Sequence, residues 1–253
     1  MEKRKMFKPY GFEYDTDGHV VSYKGHPIRA FATCEKHGKY PAVYLDTDGS
    51  SKPINGKLCP FCHAVELFRK EMKTALIPTR FVEKSLDNFT VKDAWQAQAK
   101  AKVKNYIDNL EQFADQGRSL IFLGNVGTGK THLAVSLLKA FLQKGGSGVF
   151  LSVSDLILDI RDSWGKGSAR EKIELYASAD LLVLDEVGVQ AGTENERQIL
   201  FSIINRRYNE VKPTVLISNL NIDAFKDFVG KRIFDRLKEN GGDLIAFTGN
   251  SYR

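Results

Sequence analysis

The later part of the chain alternates short apolar runs with longer amphipathic stretches. The runs are LIFL (120–123), GVFLSV (148–153), LLVLD (181–185), TVLIS (214–218) and DLIAFT (243–248). Continuous apolar strands of this length are buried on both faces, as in a parallel sheet covered by helices. The predicted fold class is therefore α/β. Upstream, Trp95, Val103, Tyr106, Ile107, Leu110 and Phe113 recur at helical spacing, predicting one long helix over 92–115. Residues 78–90 read as a linker. A further helix is predicted over 61–76, ending before Pro78. Residues 1–66 are different in texture, with strand-like runs at 19–23 and 43–45 broken by Asp17-Gly18 and Asp48-Gly49 turns. This divides the chain into an N-terminal module, 1–77, and an α/β domain, 78–253.

The strand at 119–123 runs into GNVGTGKT (124–131) and then into a helix over 131–142. A strand–GxxxxGK[ST]–helix unit is a phosphate-binding loop. Its backbone N–H groups and the helix N-terminus converge on phosphate oxygens. Gly124, Asn125, Val126, Gly127, Thr128, Gly129, Lys130, Thr131 and His132 are the candidate nucleotide-binding residues. Lys130 is expected at the β- and γ-phosphates and the Thr131 hydroxyl at Mg²⁺. The motif implies ATP or GTP.

LLVLDE (181–186) is an apolar strand ending in two acids, which are costly there without a reason. Magnesium supplies one, with Asp185 as a second Mg²⁺ ligand and Glu186 as the base that polarises water. Asn219, at the tip of TVLISN, could orient that water, although strands often end in Ser-Asn turns. In GKRIFDRL (230–237), Arg232 and Arg236 share one helix face. That face is either solvated and tied to Asp235, or it carries an arginine that reaches a neighbouring subunit's γ-phosphate. Lys100, Lys102 and Lys104 read as a solvated helix face.

Net charge is +6, and residues 1–80 hold fourteen basic against nine acidic side chains. That balance permits contact with nucleic acid without showing it. No run is long and apolar enough to span a membrane, and no secretory signal is visible. The three cysteines fit a reducing compartment and metal binding better than disulfides. A cytoplasmic location is expected. Cys34-x2-His37 and Cys59-x2-Cys62 suit one tetrahedral, structural Zn²⁺, with His63 as a substitute ligand. Phe31, Tyr40, Tyr44 and Phe61 could stack on bases, but filling a small core is the default.

Taken in order, the phosphate loop, LLVLDE, ISN, GKRIFDRL and the terminal NSYR resemble the AAA+ ATPases of the DnaC-type helicase loaders and the related IstB-type transposition ATPases. The resemblance covers about 78–253. It implies an AAA+ domain with Asn219 as sensor 1, Arg236 as an arginine finger supplied in trans, and Arg253 as a sensor 2 arginine on the nucleotide. It implies that 154–176 is the helical insertion on the single-stranded DNA side, and that the domains form a homo-oligomer. The expected activity is ATP hydrolysis with Mg²⁺, used as a switch while a DnaB-type replicative helicase is loaded onto single-stranded DNA. By position, the N-terminal module would grip the helicase. A transposition ATPase that binds DNA and recruits a transposase is the alternative. The Asp185–Glu186 pair argues against a scaffold that only binds ATP.

Overall fold

The computed structural model describes residues 12–14, 20–35, 38–54, 74–163, 169–189, 193–249 and 251. The chain divides into two compact units, 1–70 and 71–253.

In the first unit, β1 (Phe12–Tyr14), β2 (Val20–Tyr23), β3 (His26–Cys34), β4 (Gly38–Leu45) and β5 (Ser51–Pro53) form one antiparallel meander in chain order. The β3–β4 ladder slips register around Ala30. Among the described residues of this unit, Tyr40, Pro41 and Ile54 are buried. Neither β1 nor the long β3 follows from the hydrophobic pattern. Along β3 half-buried and exposed positions alternate imperfectly, and Arg29, Ala30 and Phe31 are all exposed.

The second unit starts with its backbone tied to the sheet edge, where Phe150 N–H donates to the Ala75 carbonyl at 2.8 Å. Of the helix expected over 61–76, residues 61–73 lie outside those described. Leu76 has left helical geometry, with φ of 57°. After the 3-10 turn Thr79–Phe81 come α1 (Ala94–Asp108) and α2 (Leu110–Asp115). The single long helix expected here is broken at Asn109, whose side-chain amide donates to the Asn105 carbonyl at 2.9 Å. Such local bonding by asparagine competes with helix continuation.

The sheet consists of β6 (Leu120–Gly124), β7 (Gly148–Ser152), β8 (Leu181–Asp185), β9 (Thr214–Ser218) and β10 (Asp243–Phe247). All its pairings are parallel, in the order β10-β6-β9-β8-β7. Helices α3 (Lys130–Gln143), α4 (Val153–Asp162), α5 (Ala169–Ser178), α6 (Glu194–Asn209), α7 (Ile222–Val229) and α8 (Lys231–Lys238) complete the unit. Strand side chains alternate between faces. Ile121, Leu123, Leu182, Leu184 and Leu216 pack with α4, α6, α7 and α8. Leu133, Leu137 and Leu138 of α3 are fully buried, and α3 packs on β7, β8 and β9. Each such side chain contributes about 1.5–3 kcal/mol when buried. Two covered faces explain why the strands read as unbroken apolar runs. The α/β layers and parallel sheet are those expected. Among the described residues no helix is long and apolar enough to cross a membrane.

In this order β6, β8 and β9 lie side by side, so their C-terminal tips form one edge. Residues 124–131, 185–186 and 219 follow those tips.

Candidate nucleotide site

Two glycines explain the loop's shape. Gly124 has φ of 145°, and a Cβ there would sit 2.0 Å from the Phe247 carbonyl oxygen. Gly129 has φ of 96°, and a Cβ would meet the Phe89 ring at 2.7 Å. Neither position accepts another residue without moving β10 or Phe89. Between them, Asn125 Nδ2 donates to the Gly249 carbonyl at 3.2 Å and buried Thr128 donates to the Asn125 carbonyl at 2.7 Å. Val126 is exposed at the loop, and Gly127 is half-buried with φ of 76°.

Lys130 is 5 % exposed and opens α3. Its ammonium donates to the Gly124 and Asn125 carbonyls at 2.7 and 2.6 Å. A buried ammonium held by loop carbonyls is a ready counter-charge for phosphate. The next residue, Thr131, donates its hydroxyl to Asp185 Oδ2 at 2.8 Å. The other Asp185 oxygen accepts the Glu186 N–H at 2.7 Å. Burial pushes the Asp185 carboxyl above its ordinary value. The Thr131 and Glu186 bonds and the charges of Lys130 and Arg80 oppose that shift without cancelling it. A hydroxyl and a carboxylate oxygen at hydrogen-bond distance are hard donors of the kind Mg²⁺ takes, so this pair could hold it.

Glu186 is exposed and has φ of 60°, the left-handed region, where a glutamate is uncommon. The flanking chain fixes it, with Val187 N–H donating to the Ile217 carbonyl at 2.9 Å and Ser218 Oγ to the Val187 carbonyl at 2.5 Å. These bonds also seat Ser218, so the exposed Asn219 follows at the neighbouring tip. The topology thus brings the phosphate loop, Asp185, Glu186 and Asn219 to one edge.

Arg236 is elsewhere. From α8 it donates to Asn205 Oδ1 of α6, with its guanidinium 5.5 Å from the Phe201 ring centroid and 5.0 Å from that of Tyr208. Arg232 is exposed, 5.4 Å from the same Phe201 ring. Arg253 lies outside the described residues. So do His37, Cys59, Cys62, His63 and Phe61. Cys34 ends β3 and pairs with Gly38, the first residue of β4. Phe31 is exposed and Tyr40 buried. Lys100 and Lys102 do more than solvate a face, since Lys100 donates to the Phe89 carbonyl at 3.1 Å and Lys102 pairs with Asp243 at 2.9 Å.

Two features escape the sequence pattern. Residues 78–90 are bound to the phosphate-loop helix. Lys139 donates to the Val82 and Lys84 carbonyls at 2.6 and 2.8 Å. His132 Nε2 donates to the Ser85 carbonyl at 2.8 Å, and burial pulls the imidazole below its ordinary value. The second is Arg207 of α6, fully buried. It donates to Thr214 Oγ1 at 3.0 Å and to the Ala177, Ala179 and Pro213 carbonyls, and burial pulls its pKa down to about 9. A charged residue on an amphipathic helix carries no local sign of this.

The family described as IstB-like ATP binding protein matches residues 63–253. The replicative helicase loader DnaC of Escherichia coli (strain K12) is 32% identical over 171 residues, covering 67% of this chain and 69% of that protein. A crystal structure of the DnaC helicase loader superposes with a TM-score of 0.62 at 26% identity, over 67% of this chain and 99% of that one. The replication initiator DnaA bound to AMPPCP and single-stranded DNA gives 0.58 at 28% identity, over 67% of this chain and 51% of that one. The fold is the AAA+ P-loop fold. The chain belongs to the IstB-like ATP-binding family, in which it is similar to DnaC.

Proposed function

We propose that this IstB/DnaC-family chain is an ATP-dependent loader of a DnaB-type replicative helicase onto single-stranded DNA. One observation carries the ATPase part: the Thr131 hydroxyl bonded to Asp185 at the edge that holds Lys130, with Glu186 next in the chain. Similarity to DnaC over 171 residues, two thirds of the chain, supports the loader part.

In this reading the loop amides and Lys130 bind the phosphates. Thr131 and Asp185 hold Mg²⁺, which when bound neutralises phosphate charge. Glu186 takes the proton of the attacking water, and Asn219 orients that water. The site is completed in trans by Arg236 of an adjacent copy, so the functional species is an oligomer. Arg253 contacts the γ-phosphate in cis. Hydrolysis releases the helicase. The DnaA likeness supports single-stranded DNA as a second partner, with α4 and α5 facing it. The N-terminal unit holds the helicase, stapled by Zn²⁺ on Cys34, His37, Cys59 and Cys62. The location is cytoplasmic.

The test is co-purification with a DnaB-type helicase in ATP, with and without single-stranded DNA. Capture in ATP that is lost after hydrolysis supports the loader, and no capture in any state sinks it. The match to IstB-like ATP-binding proteins leaves open the second reading of the sequence, a transposition ATPase. Capture of a transposase on double-stranded DNA in the same experiment decides for it. Zinc is tested separately, by metal analysis of the purified protein and of the Cys59→Ser variant.

A further inference from the structure

At the end of the sheet opposite the phosphate loop, α1 and α2 leave a cavity against the starts of β6 and β10. Its volume is about 250 Å³. Leu120 and Asp243 open those two strands and pair with each other. They precede Gly124 and Phe247 by four residues, so roughly 13 Å of strand separates the cavity from the loop edge. The floor is apolar, formed by the buried Tyr106 and Leu120. Tyr106 donates its hydroxyl to the Arg118 carbonyl at 2.6 Å, and its ring meets Phe113 edge-on at 5.4 Å. The rim is polar.

Three side chains on that rim keep donors to spare. Half-buried Arg118 donates from Nε to the Asn240 carbonyl at 3.1 Å and lays its guanidinium 4.1 Å from the Phe113 ring centroid. Among the described residues it forms no ion pair within 4.0 Å. A glycine makes room for its fork: Gly241 has φ of 80°, and a Cβ there would lie 2.3 Å from Arg118 Nη2. The Asn105 side-chain oxygen accepts from Asn109 at 3.1 Å, while its N–H pair has no partner among the described residues. Lys102 pairs with Asp243 at 2.9 Å, so the acid of this wall is already neutralised. An ammonium carries three N–H groups, and the Asp243 bond takes one.

A fixed guanidinium without a counter-charge, at the wall of a cavity, is a receptor for an oxyanion. A carboxylate has two oxygens, and the Arg118 fork alone would satisfy both. A phosphate has further oxygens for the Asn105 amide and the Lys102 ammonium. We propose that this cavity binds a phosphate group, at a second anion site separate from the phosphate loop. The group belongs either to a free phosphate compound or to a nucleic-acid backbone, and the donors on the rim serve both. The inference does not depend on the loop being an ATP site.

The test is equilibrium dialysis of labelled inorganic phosphate against the full-length chain at fixed ionic strength. Lys130→Ala, which disables the loop, should keep the cavity's phosphate. In that background Arg118→Gln should weaken phosphate binding by about tenfold or more, the size of a charged hydrogen bond. Asn105→Asp should weaken it as much, by setting an acid on the rim. Asn105 is exposed and a carboxylate there still accepts from Asn109, so this variant keeps its fold even if Arg118→Gln does not. Displacement of the phosphate by a short oligothymidylate identifies nucleic acid as the source, and its failure identifies a free phosphate compound. Equal binding with and without the two substitutions overturns the inference. So does an absence of bound phosphate once the loop is disabled, or equal displacement by acetate.

Discussion

Two corners of the ATPase unit handle charge in opposite ways. At the strand tips, Asp185 is half-buried and held by a hydroxyl and an amide, and burial outweighs every group that favours its charge. At the last turn of α6, Arg207 is buried more deeply but is bonded to carbonyl after carbonyl around the end of α5 and the start of β9. Its neighbours on that turn reach outward. Asn205 accepts from Arg236, Arg206 pairs with Glu174 of α5, and the Tyr208 hydroxyl donates to Glu239 at 2.6 Å. A charge met by many matched partners is structural, whereas one met by too few is waiting for a ligand. By that measure Arg207 is structural and Asp185 is not. Arg236 falls between, held by one neutral amide and two ring faces; in the proposed reading it exchanges these contacts for phosphate.

The sharpest way to break the comparison is Arg236→Ala. If Arg236 completes a neighbour's site, ATP turnover in the assembled, DNA-bound state should drop about 10³–10⁵-fold. The melting temperature should move little, since only half-buried contacts are lost. A large fall in melting temperature with turnover intact would make Arg236 structural instead. Glu186→Gln follows, with an expected loss of about 10²–10⁴ in turnover and retained ATP binding. Its exposed side chain leaves the fold untouched, so ATP-dependent assembly should persist and dissociation should fail.

Arg207→Met tests the structural side. Removing a buried charge that so many carbonyls depend on should cost about 3–5 kcal/mol. In a domain of this size that lowers the melting temperature by about 6–20 °C. Thermal melting checks it, and a shift below about 2 °C would show that the carbonyls manage without the guanidinium.

What the sequence discloses follows the same division. The parallel sheet is legible because each strand is buried on both faces and so reads as an apolar run. GNVGTGKT and LLVLDE are legible because the chemistry demands those residues at that spacing. Arg207 is not, because its partners are carbonyls, which every residue has. Residues 78–90 look like a linker because Phe81 and Phe89 follow no period, and tertiary contacts alone anchor them. The break at Asn109 comes from one side-chain bond that helical periodicity cannot carry. In the N-terminal unit, β3 escapes because both its faces are partly exposed, leaving no clean alternation.

The smallest expected effect, Asp185→Asn, separates the two kinds of charge most directly. In the folded chain the Asp185 carboxyl sits above its ordinary value, so the folded state holds its proton more tightly than the unfolded state does. Ionisation therefore works against folding. Stability from this group is highest below the unfolded value of 3.8, falls as pH rises through the folded value, and stays low at neutral pH. Asparagine is neutral throughout. Without nucleotide or magnesium at neutral pH, the variant should melt above the parent, and the gap should close as pH is lowered into the carboxylate range. Saturating Mg²⁺ and ATP should reverse the order, because the parent gains the ligand's binding energy and the variant largely does not. A variant that melts below the parent in every condition would mean that Asp185, like Arg207, is there for the fold.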